Sequence, residues 1–77
     1  MANLLKLHEA IAVVLLSKTK RTATTEKIAD EINRRGLYKR KDGKPLPAYQ
    51  VMMRVKLANG QYHHLFQFRV PNEVILK

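Results

Sequence analysis

Seventy-seven residues carry fifteen Lys and Arg against six Asp and Glu, a formal net charge of +9 with a pI near 10.3. A chain this short makes one domain at most, expected over residues 1–77 with a small core, and its 45% hydrophobic content excludes a disordered chain. The absence of cysteine excludes disulfides and thiolate metal sites, and the longest apolar run, Ala10 to Leu16, is far too short to span a bilayer.

The first helix is predicted from Leu4 to about Lys18, with Asn3 as its cap. Leu7, Ala10, Ile11, Val14 and Leu15 recur at helical spacing and form a buried stripe, which Leu4, Leu5 and Leu16 broaden. His8 and Glu9 inside this stretch argue against a signal peptide, so a cytoplasmic protein is expected, nucleoid-associated if bacterial. Lys18 and Lys20 suit the negative end of the helix dipole.

A polar connector follows, in which Arg21 to Ala23 can add a very short strand. Thr24 is the expected cap of the second helix, Glu26 suits its first turn, and Ile28, Ala29 and Ile32 give its inner face. Gly36 stops it, because glycine accepts the left-handed conformation that ends helices. Leu37 and Tyr38 then fold back onto the core.

Lys39 to Lys44 reads as an exposed basic turn. The third helix is predicted from Pro47, at its first position, to about Leu57, ending at Asn59-Gly60. Ala48, Val51, Met52 and Val55 should face the core. Gln50, Met53, Arg54 and Leu57 should face outward, flanked by Tyr49 and Lys56. Leu46, just before this helix, is a poor cap and the one local weakness.

The remainder alternates as β structure, with His64, Phe66, Phe68 and Val70 on one face and Leu65, Gln67 and Arg69 on the other. Val74 and Leu76 continue the inner face on a second strand. Pro71 cannot take the positive φ of a tight primed turn, so a loop spanning Val70 to Glu73 is expected. The fold class is therefore α+β, a winged helix-turn-helix of three helices followed by a β-hairpin wing.

The order and spacing of several segments resemble the HARE-type winged helix-turn-helix domain. LHEAIAVVLL is similar to that family's first helix, and TTEKIADEINRRGLY to its second helix with the Gly-Leu-Tyr exit. DGKPLPAYQVMMRV is similar to its third helix, and HHLFQF with VILK to its closing strands. Such domains occur in restriction-endonuclease-like proteins, in the delta subunit of bacterial RNA polymerase and in Asx-like chromatin proteins. The resemblance implies a DNA-binding module without catalysis, regulating transcription or targeting a DNA-modifying system, and often appended to other domains. The family usually has Thr or Ser where this chain has Leu46.

Eight basic residues lie between Arg34 and Lys56, against the single acid Asp42, so this stretch holds +7 of the formal +9. Arg34, Arg35, Lys39, Arg40, Lys41 and Lys44 are expected to contact phosphates, where Lys and Arg displace condensed counterions. Tyr49, Gln50 and Arg54 are candidates for base edges, since Gln suits adenine and Arg suits guanine. Lys56 flanks that face, and Arg69 would act from the wing. The bland reading of such a charge run is a solubilising face, but these charges are concentrated rather than interspersed.

His63 and His64 point to opposite faces of a strand and have no third partner, so no metal site is expected. Ser17 has no nucleophile elbow and the acids are scattered, so no enzyme and no cofactor are expected. The expected partner is double-stranded DNA, with no membrane. Homodimerisation, common among helix-turn-helix proteins, would double a short site. The alternative is a protein-interaction module docking on RNA polymerase or another acidic partner, with Met53 and Leu57 at its centre. Single-stranded nucleic acid is disfavoured, because Phe66 and Phe68 read as buried and leave few stacking platforms.

Overall fold

The structure is a computed structural model that describes residues 5–57 and 65–77. The expected Asn3 cap, the helix end at Asn59-Gly60, the His63-His64 pair and the side chain of Leu57 lie outside the described residues. Among the described residues, three α-helices and a three-stranded antiparallel sheet make an α+β fold, an arrangement compatible with a winged helix.

Helix α1 spans Leu7–Leu16, shorter than its apolar pattern suggests. Glu9 accepts a hydrogen bond from the Lys6 backbone N–H at 2.8 Å and so satisfies a free amide at the start. At the other end the chain tightens. The Ser17 and Lys18 amides donate three residues back, to the carbonyls of Val14 and Leu15, and the Ser17 hydroxyl also donates to Val14. The stripe of Leu7, Ala10, Ile11, Val14 and Leu15 is buried as its spacing predicts. Leu16 is exposed and does not broaden it, because it lies on the far side of the last turn. Lys20 and Arg21 then take left-handed backbone conformations in a short 3-10 turn over Thr19–Arg21.

Strand β1 is Thr22–Thr24, one residue later than expected. Helix α2, Thr25–Arg35, follows without a linker. Thr24 caps it, its hydroxyl accepting from the Lys27 amide at 3.2 Å. Ile28, Ala29 and Ile32 are buried, and each fully buried Ile side chain contributes about 2 kcal/mol. Gly36 takes φ +65°. Its amide donates to Asn33 and the Leu37 amide donates to Ile32, which closes the helix with a Schellman motif. Leu37 and Tyr38 pack partly against the core, as expected.

Helix α3 is Ala48–Met52 and continues as one π-helical turn, Met53–Leu57. Pro47 stands at the cap with an extended backbone, not at the first helical position. Leu46 is buried in the core, and a bond from α2 secures its backbone in place of a capping side chain. Helix α3 packs on α2, and the π turn packs on α1 and the sheet.

Strands β2, Phe66–Arg69, and β3, Glu73–Leu76, form the hairpin, with β3 central between β1 and β2. The register aligns Ala23, Val74 and Phe68 in one row. Ala23 and Val74 are buried there and Phe68 packs partly on the same core. Arg69 pairs with Glu73, so Val70, Pro71 and Asn72 form the loop. Val70 is 80% exposed rather than inward, because pairing stops before it and the alternation no longer applies.

Candidate functional site

The basic turn is built by local hydrogen bonds. The Gly43 amide donates to the Arg40 carbonyl at 3.0 Å, which places Lys41 and Asp42 at the two central positions of a β-turn. Gly43 itself takes φ +75°, a conformation costly for other residues. Asp42 uses both carboxylate oxygens: Oδ1 accepts from the Lys44 amide at 3.0 Å and Oδ2 pairs with Arg40 at 2.9 Å. Lys41 and Lys44 are exposed, and no ion pair engages either of them among the described residues.

Arg34 and Arg35 are placed differently from the sequence expectation. Glu31, just outside the basic stretch, pairs with Arg34, with Arg35 at 3.9 Å and with Lys18 at 3.3 Å. Partial desolvation would push the Glu31 carboxyl up. The hydrogen bond from Lys18 and the charges of Arg34, Lys18 and Arg35 outweigh it and hold its pKa below the usual glutamate value. The Arg34 side chain is still 64% exposed, so these arginines present a partly neutralised surface. Their spacing from Glu31, i+3 and i+4 on one helix, was the signal that identifies the cluster.

On the third helix the outward face is centred on Tyr49, Met53 and Lys56, with Tyr49 58% and Met53 47% exposed. Gln50 and Arg54 are half-buried on its edges rather than at its centre, and Val51 and Val55 face the core. Gln50 lines an open hollow with Tyr38, Arg40, Lys41 and Asp42, which joins the helix to the basic turn. A second hollow is lined in part by Tyr38, Lys39, Gly43 and Lys44, so Tyr38 is shared by both. Sequence reasoning assigned Tyr38 to the core alone and missed its part in lining both hollows.

Lys56 sits over the Phe68 ring, its Nζ 5.2 Å from the centroid, in a cation–π contact that ties the helix to β2. Arg69 pairs with Glu73 across the hairpin at 2.9 Å. The hairpin tip is bonded to the start of α2: the Thr25 amide donates to the Asn72 carbonyl at 2.9 Å, and the Asn72 carboxamide donates to Glu26. The eleven-residue α2 is roughly 16 Å long, so it separates this tip from the basic turn that leaves its far end.

No helix among the described residues is long and apolar enough to cross a membrane. Comparison with protein-family models, with curated proteins and with solved structures gives no match.

Proposed function

We propose that the chain is a winged helix-turn-helix module of the HARE type that binds double-stranded DNA and has no catalytic role. The observation that carries this reading is the hollow in which Gln50 of the third helix meets Arg40 and Lys41 of the basic turn. It makes a continuous surface from an exposed helix face to exposed, concentrated positive charge. Tyr49 and Met53 would enter the major groove, with Gln50, Arg54 and Lys56 at the edges of the contact. Lys39, Lys41 and Lys44 would hold phosphates. Arg34, Arg35 and Arg40 contribute less than their formal charges, since Glu31 and Asp42 already pair with them. Binding is then dominated by the salt-dependent term with modest sequence preference, which fits a role in transcription or in guiding a DNA-modifying system.

The test is binding to a short fluorescent duplex at low and moderate salt, with RNA and heparin as competitors. The double variant Lys41→Ala/Lys44→Ala should lower the slope of log affinity against log salt by about 2. Absence of duplex binding at low salt would overturn the reading. Exposure of Tyr49 and Met53 one helical turn apart favours a second reading, docking on an acidic protein partner such as a polymerase surface. That reading gains if Met53→Glu abolishes partner binding while the wild type ignores duplex DNA.

A further inference from the structure

The hollow between the basic turn and the third helix is lined by Tyr38, Arg40, Lys41, Asp42 and Gln50. Four of these five side chains carry hydrogen-bond donors, and two of those are cations. Their arrangement is fixed from three directions. Tyr38 is anchored by its partial packing on the core. Lys41 is held in the β-turn closed by the Gly43 amide. Gln50 belongs to α3, next to the buried Val51.

Asp42 at first opposes an anion site, because its carboxylate lies in the same hollow. Its two oxygens are however committed, one to the Lys44 amide and one to Arg40. The Arg40 guanidinium has five N–H donors, and its ion pair with Asp42 is made through one nitrogen, Nη2. A carboxylate that grips one end of a planar fork sets the direction of the rest. The Arg40 side chain is only 27% exposed, so it is held rather than trailing in solvent.

We infer that this hollow is a subsite for one phosphate group, in which Tyr38, Arg40, Lys41 and Gln50 donate to the phosphate oxygens and Asp42 orients Arg40. The inference rests on the DNA-binding reading for its source of phosphate and adds Tyr38 and Asp42 to the residues involved. It also gives Gln50 a different task from base reading. Gln50 fixes the third helix against the backbone, and base contacts fall to the more exposed Tyr49 and Met53. Tyr38 and Gln50 are neutral, so they contribute directional bonds without displacing counterions.

The full chain is tested in two measurements. One is duplex affinity and its salt slope for the wild type, Tyr38→Phe, Lys41→Ala and Asp42→Asn. The other is an NMR titration with inorganic phosphate against chloride at matched ionic strength. Tyr38→Phe keeps the ring on the core, and its thermal midpoint verifies that the fold is intact. It should weaken duplex binding roughly tenfold, the value of one hydrogen bond to a charged group, and leave the salt slope unchanged. Lys41→Ala should lower the slope by about 1. Asp42→Asn should weaken binding although it removes a negative charge; stronger binding would make Asp42 a mere competitor and overturn its positioning role.

Inorganic phosphate should shift the Lys41 and Gln50 signals and leave those of Lys27, on the first turn of α2, in place. If the wild type binds duplex, Tyr38→Phe binds it equally well and phosphate moves neither signal, the subsite is overturned and the DNA reading stands. If duplex is not bound but phosphate shifts both signals, the DNA reading falls and the subsite serves another phosphorylated ligand. If neither occurs, both fall.

Discussion

The Asn33 carboxamide and the Leu46 backbone hydrogen-bond in both directions. Oδ1 of Asn33 accepts from the Leu46 amide at 2.8 Å, and Nδ2 donates to the Leu46 carbonyl at 3.0 Å. A side chain on α2 thereby pairs with the backbone as a neighbouring strand would. It fixes the chain where the basic turn ends and the third helix begins. Without it Leu46, itself buried, would carry two unpaired backbone groups into the core edge.

Asn33→Ala should therefore cost about 2 kcal/mol of unfolding free energy, more than a typical surface substitution. Asn33→Asp keeps an acceptor for the Leu46 amide but loses the donor and sets a carboxylate beside the Leu46 carbonyl. It should be destabilising at neutral pH as well. Urea denaturation of the three proteins measures this. An Asn33→Ala protein within 0.5 kcal/mol (roughly the spread of neutral surface changes) of wild type would deny the pair its role.

Gly36 gives a cleaner backbone test. A Cβ added there meets nothing within 4 Å, so the cost of Gly36→Ala is conformational and not steric. At φ +65° that cost should be about 1 kcal/mol. Gly36→Asn should recover part of it, since asparagine enters the left-handed region more readily. Equal stability of all three would mean that the Schellman closure tolerates another backbone geometry.

Glu31 makes stability depend on pH in a defined direction. Its folded pKa lies below its unfolded value, taken as 4.5. The contribution is then fully present above that value and is lost as pH falls through the lowered folded pKa. Glu31→Gln should be less stable than wild type at neutral pH, and the gap should close below about pH 4.5. The same variant releases Arg34, Arg35 and Lys18 from their shared acid, so if the chain binds duplex DNA as proposed, it should bind more tightly. Unfolding free energies of both proteins from pH 3 to 7 (a range of roughly that span suffices) locate the window; a gap that stays constant to low pH would contradict the assignment.

How much of this was legible depends on how local each cause is. Helix α2 could be read closely because its cap Thr24, its stripe of Ile28, Ala29 and Ile32, and its stop Gly36 all act within the helix. The α1 stripe was equally plain, but its edge was not: Leu16 is apolar yet lies on the far side of the last turn, off the stripe that ends at Leu15. Leu46 looked weak because its partner is thirteen residues away, on a helix face that reads as polar. The +7 stretch was visible as charge, yet its distribution was not. Glu31 lies three residues before the stretch and draws two of its arginines, while Asp42 within it holds a third. Val70 was misplaced because alternation cannot show where strand pairing stops.

Arg69 and Glu73 supply the last test, because they separate stability from binding on the wing. They are directly opposed residues of β2 and β3 and form an ion pair at 2.9 Å, with Arg69 58% exposed. Such exposed cross-strand pairs are worth about 0.2–1 kcal/mol. Glu73→Gln should thus lower stability by no more than about 1 kcal/mol. If the wing touches the DNA backbone, the same change frees the Arg69 guanidinium and should strengthen duplex binding, whereas Arg69→Ala should weaken it and lower the salt slope by about 1. Isothermal titration at two salt concentrations reads both effects. An unchanged slope for Arg69→Ala would take the wing out of the interface and leave contact to the basic turn and the third helix, at the other end of α2.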